Sequence, residues 1–289
     1  MGAEVGVLYP ALREPYNKIF DTIIEGVEQQ IGQTVNRYAL TKVYNATELG
    51  RRIKKQNKVI LALGVRGLKA AEKINPDLPV VVGAVFPSAS QSAKINHSGI
   101  TLVPDPELLF RQLKAIAPRI RTVSVVYNPH INQSLIDRAR RAAERLGLTL
   151  EAKPADDIRS AALTYKQILD AMNSRDNAIW LLQDATVDSD TILPLLLEEA
   201  WKRSLIVFSS SLIHAKRGVL FSMYPNNLEM GRELGRLAKA ALRNSSSSDP
   251  GISVLKALKV AVNLRTAKHL GINFSKRDEQ SFDLIFPTP

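Results

Sequence analysis

The side chains in this chain best suited to chemistry stand at the ends of apolar runs. Asp184 lies in Gln183-Asp184-Ala185-Thr186, directly after the run 177–182, where a carboxylate can hold an ammonium group or cap its own turn. Ser209, Ser210 and Ser211 follow the run 205–208, and Ser134 lies a few residues past Tyr127-Asn128-Pro129; both places offer hydroxyls that donate and accept. Tyr9, Tyr16, Phe86, Tyr127 and Tyr224 can stack on an apolar or aromatic ligand. Gly64 permits a tight turn or a close approach of backbone to ligand, and Val65 and Arg66 follow it. Each has a structural alternative. Asp184 can be a cap, the tyrosines core, Asn128 the organiser of its own turn, the serines a capping loop, and Arg66 plain surface; Trp180 and Trp201 read as core.

Catalysis is poorly supported by the same residues. There is no cysteine, so disulfides, thiolate metal sites and cysteine nucleophiles are excluded. His97, His130, His214 and His269 are not at ligand spacing, and neither a metal nor a cofactor is expected. The best enzyme candidates are Asp184, His130 and the triple serine. No Gly-x-Ser-x-Gly elbow, nucleotide-type Gly-rich loop or His/carboxylate pair accompanies them, so an enzyme is not expected.

The elements that position these residues alternate between strand and helix patterns, which is the signature of an α/β protein. Residues 122–127 are apolar and β-branched and stop at Asn128-Pro129. From about Asn132, residues Leu135, Ile136, Ala139, Ala142, Ala143 and Leu146 fall on one helical face, and Gly147 ends the helix. Residues 5–10 open the chain in the same manner, a β-rich run ending in Tyr and Pro. Pro15 suits the first turn of a helix over 16–30 whose inward stripe is Ile19, Phe20, Ile23, Ile24 and Val27. Further strands are expected at 34–40, 58–63, 79–85, 149–153, 177–182, 205–208, 219–223 and 258–262. Helices are expected at 48–56, 68–73, 107–117, 161–172 (capped by Ser160), from Ser189 or Asp190 to Trp201, from Asn226 or Asn227 to Leu242, and at 264–270. Residues 100–103 read as a connection into the second unit, the polar stretch 86–99 as a loop covering or lining a cleft, and 244–251 as a surface loop. Strand ends at Tyr9, Gly64, Val85, Tyr127, Asp184 and Ser209 would face one crevice if two such α/β units oppose each other.

The formal net charge is +11, from 39 Lys and Arg against 28 Asp and Glu. The basic residues are dispersed over helix faces and loops, and no nucleic-acid-binding signature accompanies them, so no nucleic-acid partner is expected. No apolar run reaches the length of a membrane helix.

Residues 125–134 (VVYNPHINQS), 181–186 (LLQDAT), 218–231 and 263–271 (NLRTAKHLG) together resemble the ABC-transporter substrate-binding proteins of the tryptophan- and phenylalanine-binding type, and the resemblance covers nearly the whole chain. It implies two Rossmann-like lobes with parallel sheets, joined by a multi-strand hinge, with a ligand cleft between them that closes over the solute. The lobes would be 1–101 plus about 225–255, and 102–224; residues 256–289 supply a closing strand and terminal helix whose lobe the sequence leaves open. Hinge crossings are expected near 100–103, 222–225 and 253–258. The resemblance further implies an exported, periplasmic or extracytoplasmic monomer whose signal peptide is absent from this chain. Its ligand would be an amino acid or other small carboxylate, passed to a membrane permease. A sensory domain of the same fold, acting without transport, is the alternative. Two departures stand out. The family usually places a small hydroxyl residue and then a proline after the glycine at the third strand end; here those are Val65 and Arg66. It also usually has an acidic residue in the turn before the serine matched by Ser134; here the turn is His130-Ile131-Asn132-Gln133.

Overall fold

The computed structural model describes residues 4–74, 76–86, 98–172, 176–184, 186–187, 190–243 and 251–287 of the 289. In chain order the elements begin β1 (Val5–Pro10), α1 (Asn17–Ile31), β2 (Asn36–Leu40), α2 (Ala46–Gln56), β3 (Val59–Leu63), α3 (Gly64–Ile74), β4 (Val80–Val85) and β5 (Ser98–Pro104). They continue α4 (Pro106–Ile116), β6 (Thr122–Tyr127), α5 (Pro129–Arg145), β7 (Thr149–Pro154), α6 (Ile158–Ala171), β8 (Asn177–Leu181), α7 (Ile192–Lys202), β9 (Ile206–Ser209), α8 (Leu212–Arg217) and β10 (Phe221–Pro225). The chain closes with α9 (Asn227–Leu242), β11 (Ile252–Leu255), β12 (Leu258–Asn263), α10 (Leu264–His269), α11 (Lys276–Gln280) and β13 (Leu284–Phe286).

These elements form two compact units. Unit 1 is Met1–Val103 with Pro225–Ala257, and unit 2 is Pro104–Tyr224 with Leu258–Pro289. The chain therefore passes between units at three places, within β5, within β10, and between β11 and β12.

Unit 1 carries a sheet in the order β11-β5-β4-β3-β1-β2, with β1 parallel to both β2 and β3, β3 to β4 and β4 to β5. Val59–Leu63 and Val80–Val85 are buried at every residue, as strands covered on both faces must be. The pairs Tyr9↔Ala39 and Pro10↔Leu40 bring the carboxyl ends of β1 and β2 level. Helix α9 returns to this unit because α1 admits it closely. A Cβ at Gly26 would lie 2.1 Å from the Leu228 carbonyl oxygen, and one at Gly231 2.0 Å from that of Ile23.

Unit 2 carries the order β13-β12-β10-β9-β8-β6-β7. Its strands alternate between two apolar layers. Val123, Val125, Trp180, Phe208 and Phe221 face one, where the Phe208 ring stacks on those of Trp180 and Phe221 at 6.5 and 5.2 Å between centroids. Val126, Ile179, Leu181 and Val207 face the other with α6 and α7.

Several local expectations are corrected. Residues 98–104 form a full strand of the first sheet, because β4 has an open edge to pair, and the passage from unit 1 to unit 2 expected near 100–103 runs through the end of that strand. Pro15 precedes α1, whose N-cap is Tyr16, and Ile19 is exposed while Ile23, Ile24 and Val27 are buried. Helix α3 begins at Gly64 itself, with no intervening turn, and α5 begins at Pro129, three residues early. Asp157 caps α6, with Ser160 the third helical residue of its capping box. Helix α7 starts after Thr191, so Asp190 is not its cap, and Ser189 lies outside the described residues. Trp201 is 38% exposed and stacked on His269 at 3.7 Å, so it is not core. Elements α8, β11, α11 and β13 are additional to those read from the sequence. Most of the expected loops 86–99 and 244–251 also lies outside the described residues.

Candidate functional site

In unit 1 the predicted residues gather at the carboxyl ends of the strands. Tyr9, next to last in β1, is half-buried, its ring centroid 6.4 Å from that of Phe20 in the first turn of α1. Gly64, at φ +68°, continues this aromatic surface; a Cβ there would stand 3.3 Å from Phe20. Phe20 is thus at the strand-end edge rather than in the inward stripe. Periodicity gives its angle on the helix but not its depth along the axis.

Arg66 reaches across the end of β1. Its Nη1 donates to the Leu40 carbonyl at the end of β2 (3.0 Å), an oxygen that also accepts from Ala11 N at 2.8 Å. Since β1 lies between β3 and β2, the guanidinium lies over the carboxyl end of β1. The reach depends on how closely α3 sits on the sheet, for a Cβ at Gly67 would come within 2.5 Å of the Leu8 carbonyl oxygen. Val65, Tyr16 and Phe86 are exposed at this same edge.

In unit 2 the structure draws the predicted residues into internal hydrogen bonds. Asp184 Oδ2 accepts from Asn128 N (3.2 Å) and Asn132 Nδ2 (2.6 Å), while Oδ1 accepts from Thr186 N (2.8 Å) and from the Thr186 hydroxyl. The carboxylate thereby ties the end of β8 to the first turns of α5. Asn128 caps α5 by accepting from His130 N at 2.9 Å and donates from Nδ2 to the Asp156 carbonyl at 3.2 Å. Tyr127 is buried in the core and donates to Gln133 Oε1 at 3.0 Å. Ser134 is exposed in the second turn of α5. His130 is exposed, 3.8 Å from Asp156.

The serines are buried. Ser209 Oγ contacts the Leu181 carbonyl at 3.2 Å, accepts from Ser211 N at 3.0 Å, and lies 2.7 Å from His214 Nδ1. Ser210 Oγ accepts from Trp180 Nε1 at 3.2 Å. Burial, aided by the charge of Arg217, lowers the His214 pKa to about 4, so the imidazole is neutral near neutral pH. Ser209 and His214 resemble a nucleophile–base pair in type, but both are 5% exposed or less, which closes them to substrate. Tyr224 is half-buried, its phenol pushed up to about 12 by burial and by Asp283. Tyr165 and Ser222 have buried hydroxyls without a hydrogen-bond partner among the described residues. Burial and the charge of Asp184 hold the Tyr165 phenol protonated.

Sequence reasoning missed Phe20 at the edge, Asn132 and Thr186 as partners of Asp184, and His214 as partner of Ser209. Only the Asp-x-Thr spacing 184–186 carried a signal, that of a self-bonded turn. Among the described residues no group of three or more His, Asp or Glu could hold a metal ion, and no helix is long and apolar enough to cross a membrane.

Comparison with known proteins gives a consistent result. The profile of the ABC transporter substrate binding proteins matches residues 8–279. A ligand-free, open substrate binding protein with adhesive properties from Clostridium difficile superposes with a TM-score of 0.70 at 17% identity, over 97% of this chain and 98% of that one. An ABC domain from Streptococcus pneumoniae in complex with L-Trp gives 0.58 at 18% identity, over 98% and 100%. A conserved domain protein from Vibrio cholerae gives 0.58 at 19%, over 99% and 100%. At these identities the superpositions establish the fold. No curated protein matches significantly.

Proposed function

The chain belongs to the ABC transporter substrate binding protein family, a family of non-catalytic solute-binding proteins, and from that membership we propose that it captures a small organic solute outside the cytoplasm and delivers it to a membrane permease. The observation that carries the reading is the family match over 8–279, spanning both parallel-sheet units. Strand ends supply the ligand-facing residues of such folds, and the edge formed by Tyr9, Phe20, Gly64 and Arg66 suits that role in unit 1. Amino acids and related small carboxylates are the starting class, in line with the L-Trp held by the pneumococcal neighbour. Capture proceeds by hinge closure of a monomer, the chain segments that pass between the units serving as the hinge. A sensory domain of this fold would bind in the same way, and a genomic neighbourhood lacking permease and ATPase genes would favour it.

Native mass spectrometry of gently purified protein, against the denatured mass, tests the reading. A released small molecule supports solute capture. A bare protein that also shows neither a thermal shift nor a change in radius of gyration across amino acids, organic acids, sugars and nucleosides would overturn it.

A further inference from the structure

The carboxylate expected to hold an ammonium group, Asp184, is already engaged, whereas a cation and an apolar surface stand at the edge of unit 1. A carboxylate offers about four lone-pair positions, and Asp184 meets one donor at each: Asn128 N, Asn132 Nδ2, Thr186 N and the Thr186 hydroxyl. An ammonium group would have to displace one of them. Of the other acids at the strand ends of unit 2, Asp157 caps α6, while Asp156 is exposed to solvent beside His130 at 3.8 Å.

Unit 1 has the opposite character. Its exposed large apolar residues among those described are Leu12, Tyr16, Ile19, Val43, Val65 and Phe86, and every one follows the carboxyl end of a strand. Such gathering at one edge is not the scattered exposure of an ordinary surface. The charged residues there are Arg13, Lys42 and Arg66 against Glu14, which pairs with Lys18 at 3.2 Å. The stretch 87–97 that connects β4 to β5 contains no acid in its sequence.

Building on the solute-binding reading, we propose that the ligand is a carboxylate with an apolar body and no required ammonium group, paired with Arg66 and packed on the strand-end edge of unit 1 at Tyr9, Phe20, Val65 and Phe86. A guanidinium can bond a carboxylate through two N–H groups while Nη1 keeps its bond to Leu40. Val65, where the resemblance predicts a hydroxyl, enlarges the apolar contact.

Matched triads test the class by calorimetry and thermal shift: 3-phenylpropionate, L-phenylalanine and 2-phenylethylamine; indole-3-propionate, L-tryptophan and tryptamine; hexanoate, L-norleucine and pentylamine. In at least one triad the des-amino acid is expected to bind at least as tightly as the amino acid, and the amine not at all. Arg66→Met should weaken that acid by at least about tenfold with the ligand-free melting temperature retained, and Arg66→Lys should recover part of the loss. Tighter binding of the amino acid than of its des-amino partner in every triad that binds, binding of the amine in the triad whose acid binds, or silence across all the triads would overturn the proposal. Native mass spectrometry separates its failure from that of the wider reading. A retained solute of another class leaves solute capture standing and removes the carboxylate alone.

Discussion

If Asp184 is a structural tie between β8 and α5, its loss must appear in stability before any ligand is added. Asp184→Ala removes the acceptor of two backbone N–H groups, Asn128 and Thr186, and of the Asn132 amide and Thr186 hydroxyl. A hydrogen bond to a charged group contributes about 1.5–3 kcal/mol, and water can replace part of it at this half-buried carboxylate. The net cost should be about 2–4 kcal/mol, which for a unit of this size lowers its melting point by about 5–15 °C. Asp184→Asn should fall between, since an amide keeps one acceptor oxygen and turns an NH2 toward donors. Trp180 and Trp201 both lie in unit 2, so tryptophan fluorescence during heating reports on the correct unit. Amide exchange at Asn128 and Thr186 should accelerate as well. An alanine variant that melts within about 1 °C of the parent would refute the tie and return Asp184 to the list of ligand groups.

Stability should also depend on pH through His214. Its folded pKa of about 4 lies below the ordinary 6.5, so the unfolded chain binds the proton first and stability falls as pH drops from about 6.5 toward 4. The shift corresponds to about 3 kcal/mol, and the difference between urea midpoints at pH 7 and pH 4.5 should be smaller in His214→Gln than in the parent. Ser209→Ala should cost about 1–3 kcal/mol by leaving the buried Ser211 N–H without its acceptor, whereas the exposed Ser134→Ala should stay within about 0.5 kcal/mol; denaturant titration reads both. Gly67→Ala should destabilise unit 1 by about 1–3 kcal/mol, since its Cβ would press on the Leu8 carbonyl oxygen, and an unchanged unfolding midpoint would contradict the close seat of α3.

What could be read from the sequence was what short-range patterns encode. Strands such as Val59–Leu63 are apolar at every position because both faces are covered, and Asn226 caps the helix it precedes. The stretch 157–160 holds two capping signals that belong to one motif, Asp157 as the cap and Ser160 as its third helical residue, and residue type alone does not rank them. Gly64 to Gly67 looked like a turn because glycine signals both a turn and a close approach; the helix runs through, and Gly67 serves the approach. Strand β13 was illegible because its three residues owe their conformation to pairing with β12, such as Val262↔Ile285, and not to any local propensity.

The candidate site divides along the same line. Asp184 and Ser209 were singled out for what a carboxylate and a hydroxyl are able to bond, but that capacity is open to a ligand only if the chain does not claim it first. Some of the claims are local, Thr186 on Asp184 and Ser211 on Ser209, but others come from far along the sequence: Asn128 and Asn132 on Asp184, Leu181 on Ser209. Arg66 shows the reverse. One N–H reaches Leu40 and fixes the guanidinium over the end of β1, and its planar fork can still meet a carboxylate with other N–H groups. A guanidinium anchored through one nitrogen loses less conformational freedom on binding an anion than a free side chain would. The bond to Leu40 thus makes Arg66 a better anion receptor, while the bonds to Asp184 make it a poorer ammonium receptor, and the selectivity proposed for this protein follows from that asymmetry.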